Sequence, residues 1–162
     1  MTEWLDDTEM AAWRGLLGVH ADVLAELEND LVARHGVTAG DYAVLVALSE
    51  APGDHLRMCD LAAHLHLSPS GLTRRLDGLV KAGLVAREPS SDDRRVILAV
   101  LTSEGRARLD AAAPDHVAGV RQAFLDHLDP AQVAALADAC AAVLQGRAQR
   151  DAAGAPARAA AP

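Results

Sequence analysis

Ser70, Thr73, Arg74, Asp77 and Lys81 recur at steps of three and four, the spacing that lines side chains along one face of a helix. Hydroxyls and an arginine near a helix start, beside free backbone N–H groups, are hydrogen-bonding tools suited to base edges and phosphates. Further on, Asp93-Arg94-Arg95 sets two guanidiniums in a polar loop. The stretch 68–95 holds six of the fifteen Arg and Lys residues of a chain whose formal net charge is −8. Residues 1–56 carry net −9, residues 57–95 net +2 and residues 96–162 net −1. A positive stretch between acidic flanks reads as a local anion-binding surface, with ordinary solvated charge as the alternative. No nucleophile–base pair or phosphate-binding loop stands out, so the sequence offers no catalytic site and requires no cofactor.

The elements that must position these residues follow from the spacing of apolar residues and breakers. Thr8 is a candidate cap for a helix over residues 8–34, ended by His35-Gly36. Its stripe of Trp13, Leu16, Leu17, His20, Leu24, Leu27 and Leu31 is continuous. At 1.5 Å per residue this helix is roughly 40 Å long, longer than a small domain is wide, so part of the stripe packs on something else. Thr38, with Asp41 three residues on, opens a second helix whose buried side is Tyr42, Leu45, Val46 and Leu48, and Pro52-Gly53 breaks it. A short third helix covers 58–65.

Ser68-Pro69 pairs a capping serine with proline at the first helical position, so a fourth helix covers 68–82 with Leu72, Leu76 and Leu79 toward the core. Apolar residues at 84–88 and 96–101 flank a polar loop at 89–95, the pattern of a hairpin. Helix, short helix, helix and a hairpin with arginines at its tip make a winged helix-turn-helix. Thr102 caps a fifth helix to about residue 127, kinked or briefly interrupted at Pro114. Asp129-Pro130 starts a sixth, with Val133, Leu136, Ala137, Cys140 and Leu144 on one side. Residues 148–162 contain no large apolar residue and read as a disordered tail. The expected fold is mainly α with a small β-hairpin wing: a lobe over 37–101 and a helical region formed by 1–36 and 102–147.

With 162 residues, the chain suits one domain, or one domain and an appendage. Its longest apolar runs, such as 96–101, are too short to span a membrane. The acidic start MTEWLDDTEM lacks the order of a signal peptide, which makes the cytoplasm the expected location. Cys59 and Cys140 form no CxxC, so neither a disulfide framework nor a zinc motif is visible. Both fall on apolar faces and read as inert.

The segment DLAAHLHLSPSGLTRRLDGLVKAGLVAREPSSDDRRVILAVLTSEGRARL resembles the MarR-type (multiple antibiotic resistance regulator) family of bacterial transcription factors. The family's wing motif, Asp-x-Arg followed by an apolar strand and Leu-Thr-x-x-Gly, is here Asp93-Arg94-Arg95, then Leu101-Thr102 and Gly105. The resemblance covers residues 8–147. It implies a homodimer in which the N-terminal helix and the last two helices intertwine. It also implies a partner in double-stranded DNA carrying a pseudo-palindromic operator, with one half-site per recognition helix.

Carried onto this chain, the resemblance sends the 68–82 helix into the major groove, with Ser68 at its start and Ser70, Thr73 and Arg74 toward the DNA. Arg75, off that face, reaches the DNA backbone. Arg95 enters the minor groove, Asp93 orients it through a charge-assisted bond, and Arg94 meets a phosphate. The resemblance further implies a repressor relieved by a small aromatic or phenolic acid. Thr73 and Arg87 match positions that hold salicylate-like anions in relatives, and Trp13 offers a ring to stack on. His20 and Arg57 complete that candidate set.

Set against these roles, Trp13 also fits a core or dimer-interface position, His20 a satisfied interface histidine, and Arg57 a phosphate contact or a cap. Gly78 departs from some relatives, which are basic there. Two alternatives stay open: a winged helix that docks a basic protein, and a redox- or metal-responsive regulator of the same fold. His64-x-His66, the closest histidine pair, lies in the turn of the reading motif, and no metal site is assigned.

Overall fold

Every described α-helix but the short one that starts at Met58 begins where a side chain bonds the first free backbone N–H groups. Helix α1 (Asp7–His35) opens on a capping box: Glu9 N–H donates to Asp6 Oδ1 at 2.8 Å and Asp6 N–H to Glu9 Oε2 at 2.9 Å. The sequence pointed to Thr8, but two acids three residues apart supply the cap two residues earlier, at Asp6. Gly36, at φ 66°, closes the helix in the left-handed conformation, which glycine adopts without penalty. Helix α2 (Ala39–Glu50) carries the expected Thr38–Asp41 box, and Glu28 of α1 accepts the Ala39 N–H at 2.5 Å.

This computed structural model describes residues 4–154, with side chains as far as residue 150. The chain divides into two compact units, residues 1–121 and 122–162. In the first, α2 leads through a tight turn at Pro52–Asp54 into β1 (His55–Arg57), α3 (Met58–His64) and α4 (Pro69–Lys81). Strands β2 (Val85–Pro89) and β3 (Ile97–Leu101) then form the hairpin, and α5 (Ser103–Ala123) follows. The antiparallel sheet has the order β1-β3-β2, with Val85 opposite Leu101 and Pro89 opposite Ile97. Strand β1 was not expected: three residues are too few to show a period, and pairing with β3 alone defines it.

Leu72, Leu76 and Leu79 of α4 are buried as the spacing requires, against Leu45, Leu48 and Leu61 among others. Of the long α1 stripe only Leu27 and Leu31 are buried; Trp13, Leu16, Leu17 and Leu24 remain exposed, Trp13 by 51%. The start of α5 is locked onto the turn between α4 and β2. Thr102 Oγ1 donates to the Gly83 carbonyl at 2.7 Å and accepts from Gly105 N–H at 3.0 Å. Gly105 lies so close that a Cβ there would collide with the Leu84 carbonyl. Pro114 sits inside α5, which continues past it, so the expected interruption does not occur there. The helix ends at Ala123 instead of near 127, and a 3-10 turn occupies Leu125–His127.

In the second unit, Asp129 and Gln132 form a reciprocal cap at 2.8 and 2.9 Å, and α6 runs over Pro130–Gly154. The helix runs over 148–154, where the sequence reading expected a disordered tail; alanine, arginine and glutamine there are good helix formers. The rest of that stretch lies outside the described residues. Along α6, Val143 and Leu144 are more than 60% exposed.

His116 of α5 packs its ring on Tyr42 of α2 at a centroid distance of 4.5 Å, and its buried Nδ1 has no hydrogen-bond partner. Asp30 and His35 of α1 and Asp115 line the same small cavity. Burial lowers the His116 pKa from the ordinary 6.5, so the folded chain holds this proton less tightly than the unfolded chain does. As pH falls through about 6.5 the unfolded chain takes up more of the proton than the folded one, and stability falls with pH through this window. We expect the urea midpoint to drop between about pH 7.5 and about pH 5.5, and His116→Phe to flatten that drop. Gly105→Ala should destabilise the chain by about 1–3 kcal/mol in the same assay, because backbone rather than a flexible side chain stands in its way.

Candidate nucleic-acid interface

The outer face of α4 exists because its inner face is committed. With the three leucines buried, residues 70, 73, 74 and 77 must face solvent, and all four are exposed. Ser68 caps the helix: its Oγ accepts from Gly71 N–H at 3.1 Å and lies 3.3 Å from Ser70 Oγ. Pro69 follows at the first helical position. The Thr73 hydroxyl donates to the Pro69 carbonyl at 2.9 Å, leaving its oxygen free to accept. Arg74, also exposed, makes no hydrogen bond or ion pair through its guanidinium among the described residues.

The wing tip is an ordered turn. Val96 N–H donates to the Asp93 carbonyl at 2.9 Å and Arg95 N–H to Asp93 Oδ1 at 3.0 Å, so Asp93 holds the turn in the way its side chain favours at the first turn position. The expected charge-assisted bond from Asp93 to the Arg95 guanidinium is replaced by this backbone contact. Ser90 N–H closes the loop on the Val96 carbonyl at 2.8 Å. Among the described residues the guanidiniums of Arg94 and Arg95 bond to nothing within the chain.

Two other arginines are engaged inside the lobe. Arg87 on β2 reaches across to α4, where Nη1 pairs with Asp77 Oδ1 at 2.7 Å and Nη2 donates to the Thr73 carbonyl at 3.1 Å. Arg75 turns away from the outer face: its Nη1 lies 3.4 Å from both Thr38 Oγ1 and Asp41 Oδ1 at the start of α2. Its expected reach to the DNA backbone is not the conformation found.

The structure thus brings Thr73 and Arg87 of the proposed ligand set together. No hydrogen bond or ion pair among the described residues ties Trp13, His20 or Arg57 to them, and all three are exposed. Asp77 as the partner of Arg87, and Gly40 beneath Arg75, are positions that sequence reasoning passed over; both depend on tertiary approach and leave no local pattern. Cys59 and Cys140 are exposed in the chain, against the expectation of apolar faces. Cys59 lies in the first turn of α3, with Sγ 3.4 Å from Asp60 Oδ1.

A family model described as MarR family matches residues 35–96. Among solved structures, AbsC from Streptomyces coelicolor, a MarR family transcriptional regulator, is 42% identical with a TM-score of 0.82, over 90% of this chain and 99% of that one. Sco3205 from the same organism, a MarR family regulator solved in complex with DNA, is 34% identical with a TM-score of 0.85, over 90% and 91%. CouR from Rhodococcus jostii RHA1, bound to p-coumaroyl-CoA, is 26% identical with a TM-score of 0.68, over 85% and 91%. The HTH-type transcriptional repressor YetL of Bacillus subtilis is 31% identical over 97 residues, 60% of this chain. The match spans 58% of YetL and about half of other curated repressors.

The Arg87–Asp77 contact fixes strand β2 to α4. Asp77→Asn and Arg87→Ala should each cost about 1 kcal/mol in urea unfolding, and the double variant little more than either alone. Additive losses would show that the two side chains are not coupled.

Proposed function

The chain belongs to the MarR family of transcriptional regulators, and from that premise we propose that it is a homodimeric, sequence-specific DNA-binding repressor relieved by a small aromatic or phenolic acid. The observation that carries the DNA reading is the set of unpaired guanidiniums of Arg74, Arg94 and Arg95, held on the outer face of α4 and at the tip of an ordered turn. In this reading α4 enters the major groove with Ser70, Thr73 and Arg74 toward the bases. Arg95 enters the narrow minor groove of A/T-rich DNA, and Arg94 meets a phosphate. Asp93 and Ser68 act by shaping the turn and the helix end that carry these groups. The DNA complex of Sco3205 supports it.

Dimerisation is supported by the apolar residues that the chain leaves in water, Trp13, Leu16, Leu17 and Leu24 on α1 and Val133, Leu136, Val143 and Leu144 on α6. These faces suit a second copy, and a two-fold pair reads a pseudo-palindrome. No helix among the described residues is long and apolar enough to cross a membrane; a DNA-binding role places the protein in the cytoplasm.

The ligand reading takes its support from CouR and from the position of Arg87. A ligand carboxylate at Arg87 competes with Asp77 for the same guanidinium and so uncouples α4 from β2. Thr73 lies beside it; Trp13, His20 and Arg57 are the other proposed contacts. The ligand lowers DNA affinity only by its differential affinity for the two arrangements.

Fluorescence anisotropy over a salt series, with the duplex upstream of this protein's own gene and a scrambled duplex, tests the DNA reading. We expect salt-sensitive binding with a preference of about a thousandfold or more. Arg95→Ala should weaken it by roughly 1–3 kcal/mol and blunt the A/T preference. Unchanged binding by Arg95→Ala would refute the wing assignment. Weak wild-type binding without preference would favour the protein-docking alternative.

A further inference from the structure

Arg75 neighbours Arg74 in sequence yet is used differently. Its side chain is 32% exposed, and its guanidinium lies over the first turn of α2, against Thr38 and Asp41. A cation at a helix N-terminus meets the positive end of the helix dipole, so this location is favourable only because Asp41 is there to receive it. Space is the second condition. A Cβ on Gly40 would fall directly on the Arg75 guanidinium, so only glycine at this helical position admits it. Glycine is otherwise a poor choice inside a helix, and no positive φ requires it here.

On this basis we propose that Arg75 is a positioning residue for DNA recognition: with Gly40 and Asp41 it clamps α4 to the start of α2 and makes no DNA contact. The clamp acts alongside the Arg87–Asp77 bond, which holds α4 from the side of the wing strand. Between them they fix the rotation of α4 about its own axis, which decides where Arg74 points. This rests on the reading of α4 as the recognition helix.

Two measurements on the full chain test it. The first uses urea unfolding and no DNA. Gly40→Ala should lower the midpoint when Arg75 is present, because the methyl group evicts the guanidinium. In the Arg75→Ala background the same substitution should raise the midpoint, since alanine is the better helix former. A change of the same sign in both backgrounds would overturn the clamp.

The second uses a fluorescein-labelled duplex enriched by selection with the wild-type chain. Arg75→Ala and Gly40→Ala should each weaken binding about tenfold while the dependence of affinity on salt keeps its slope. Arg74→Ala, if it removes a phosphate contact, should reduce that slope by about 0.9. A slope reduced by about 0.9 in Arg75→Ala would make Arg75 a phosphate contact and overturn the proposal. If the wild-type chain enriches no sequence, the DNA reading falls and the positioning role with it, while the unfolding test still decides whether the clamp exists.

Discussion

Leu72, Leu76 and Leu79 decide which face of α4 is buried. Each leucine taken out of water contributes about 1.5–3 kcal/mol. Turning α4 by one residue would exchange them for Thr73, Asp77 and Val80, burying a hydroxyl and a carboxylate without partners, at a cost of several kcal/mol. The leucines therefore exclude a turn by a whole residue, and the Arg75 and Arg87 contacts hold the finer rotation within that setting. Everything proposed for the outer face follows from it: the exposure of Ser70 and Arg74, the approach of Asp77 to Arg87 and the reach of Arg75 to Asp41.

Arginines divide into two kinds in this fold. Arg87 and Arg75 are engaged with α4 and α2, while Arg106 pairs with Asp54 at 2.5 Å and Arg108 donates to the His35 carbonyl at 2.8 Å. These side chains tie elements together, each with an acid or a carbonyl that offsets its charge. Arg74, Arg94 and Arg95 have no such partner among the described residues. The pairing of Asp77 with Arg87 leaves the net charge of +2 over 57–95 unchanged, and Arg74, Arg94 and Arg95 stand outside that pair. The acidic remainder of the chain discourages wrong docking on DNA.

Much of the fold was legible because helix starts are local. Thr38–Asp41, Ser68-Pro69, Thr102 and Asp129-Pro130 each begin a helix where the residue types require it. The three leucines gave the register of α4, and apolar runs around a polar loop gave the hairpin. What was not legible depends on distant groups. β1 exists only as a partner of β3. Pro114 suggests a kink or a brief interruption inside the fifth helix, yet proline removes one backbone bond, and α5 continues past it. At the interface, the sequence pointed to the residues that face outward. It did not show that Arg75 and Arg87 are turned inward, since the acids that hold them lie 34 and 10 residues away. It gave Asp93 the right residue to act on but the wrong atom.

That atom matters to the way the wing would meet DNA. With Asp93 bonded to the backbone N–H of Arg95, the turn is set before any encounter while the guanidinium beyond it stays free to rotate. Docking then sacrifices side-chain rotamers and no loop conformations, a cost of about 0.5–1.5 kcal/mol for such a side chain. It also removes a slow step. A wing that had to fold against the duplex would make association wait on its own ordering, whereas a preset turn leaves the rate to diffusion and electrostatic steering. Residence time on DNA, rather than the speed of arrival, is then what sequence preference would adjust.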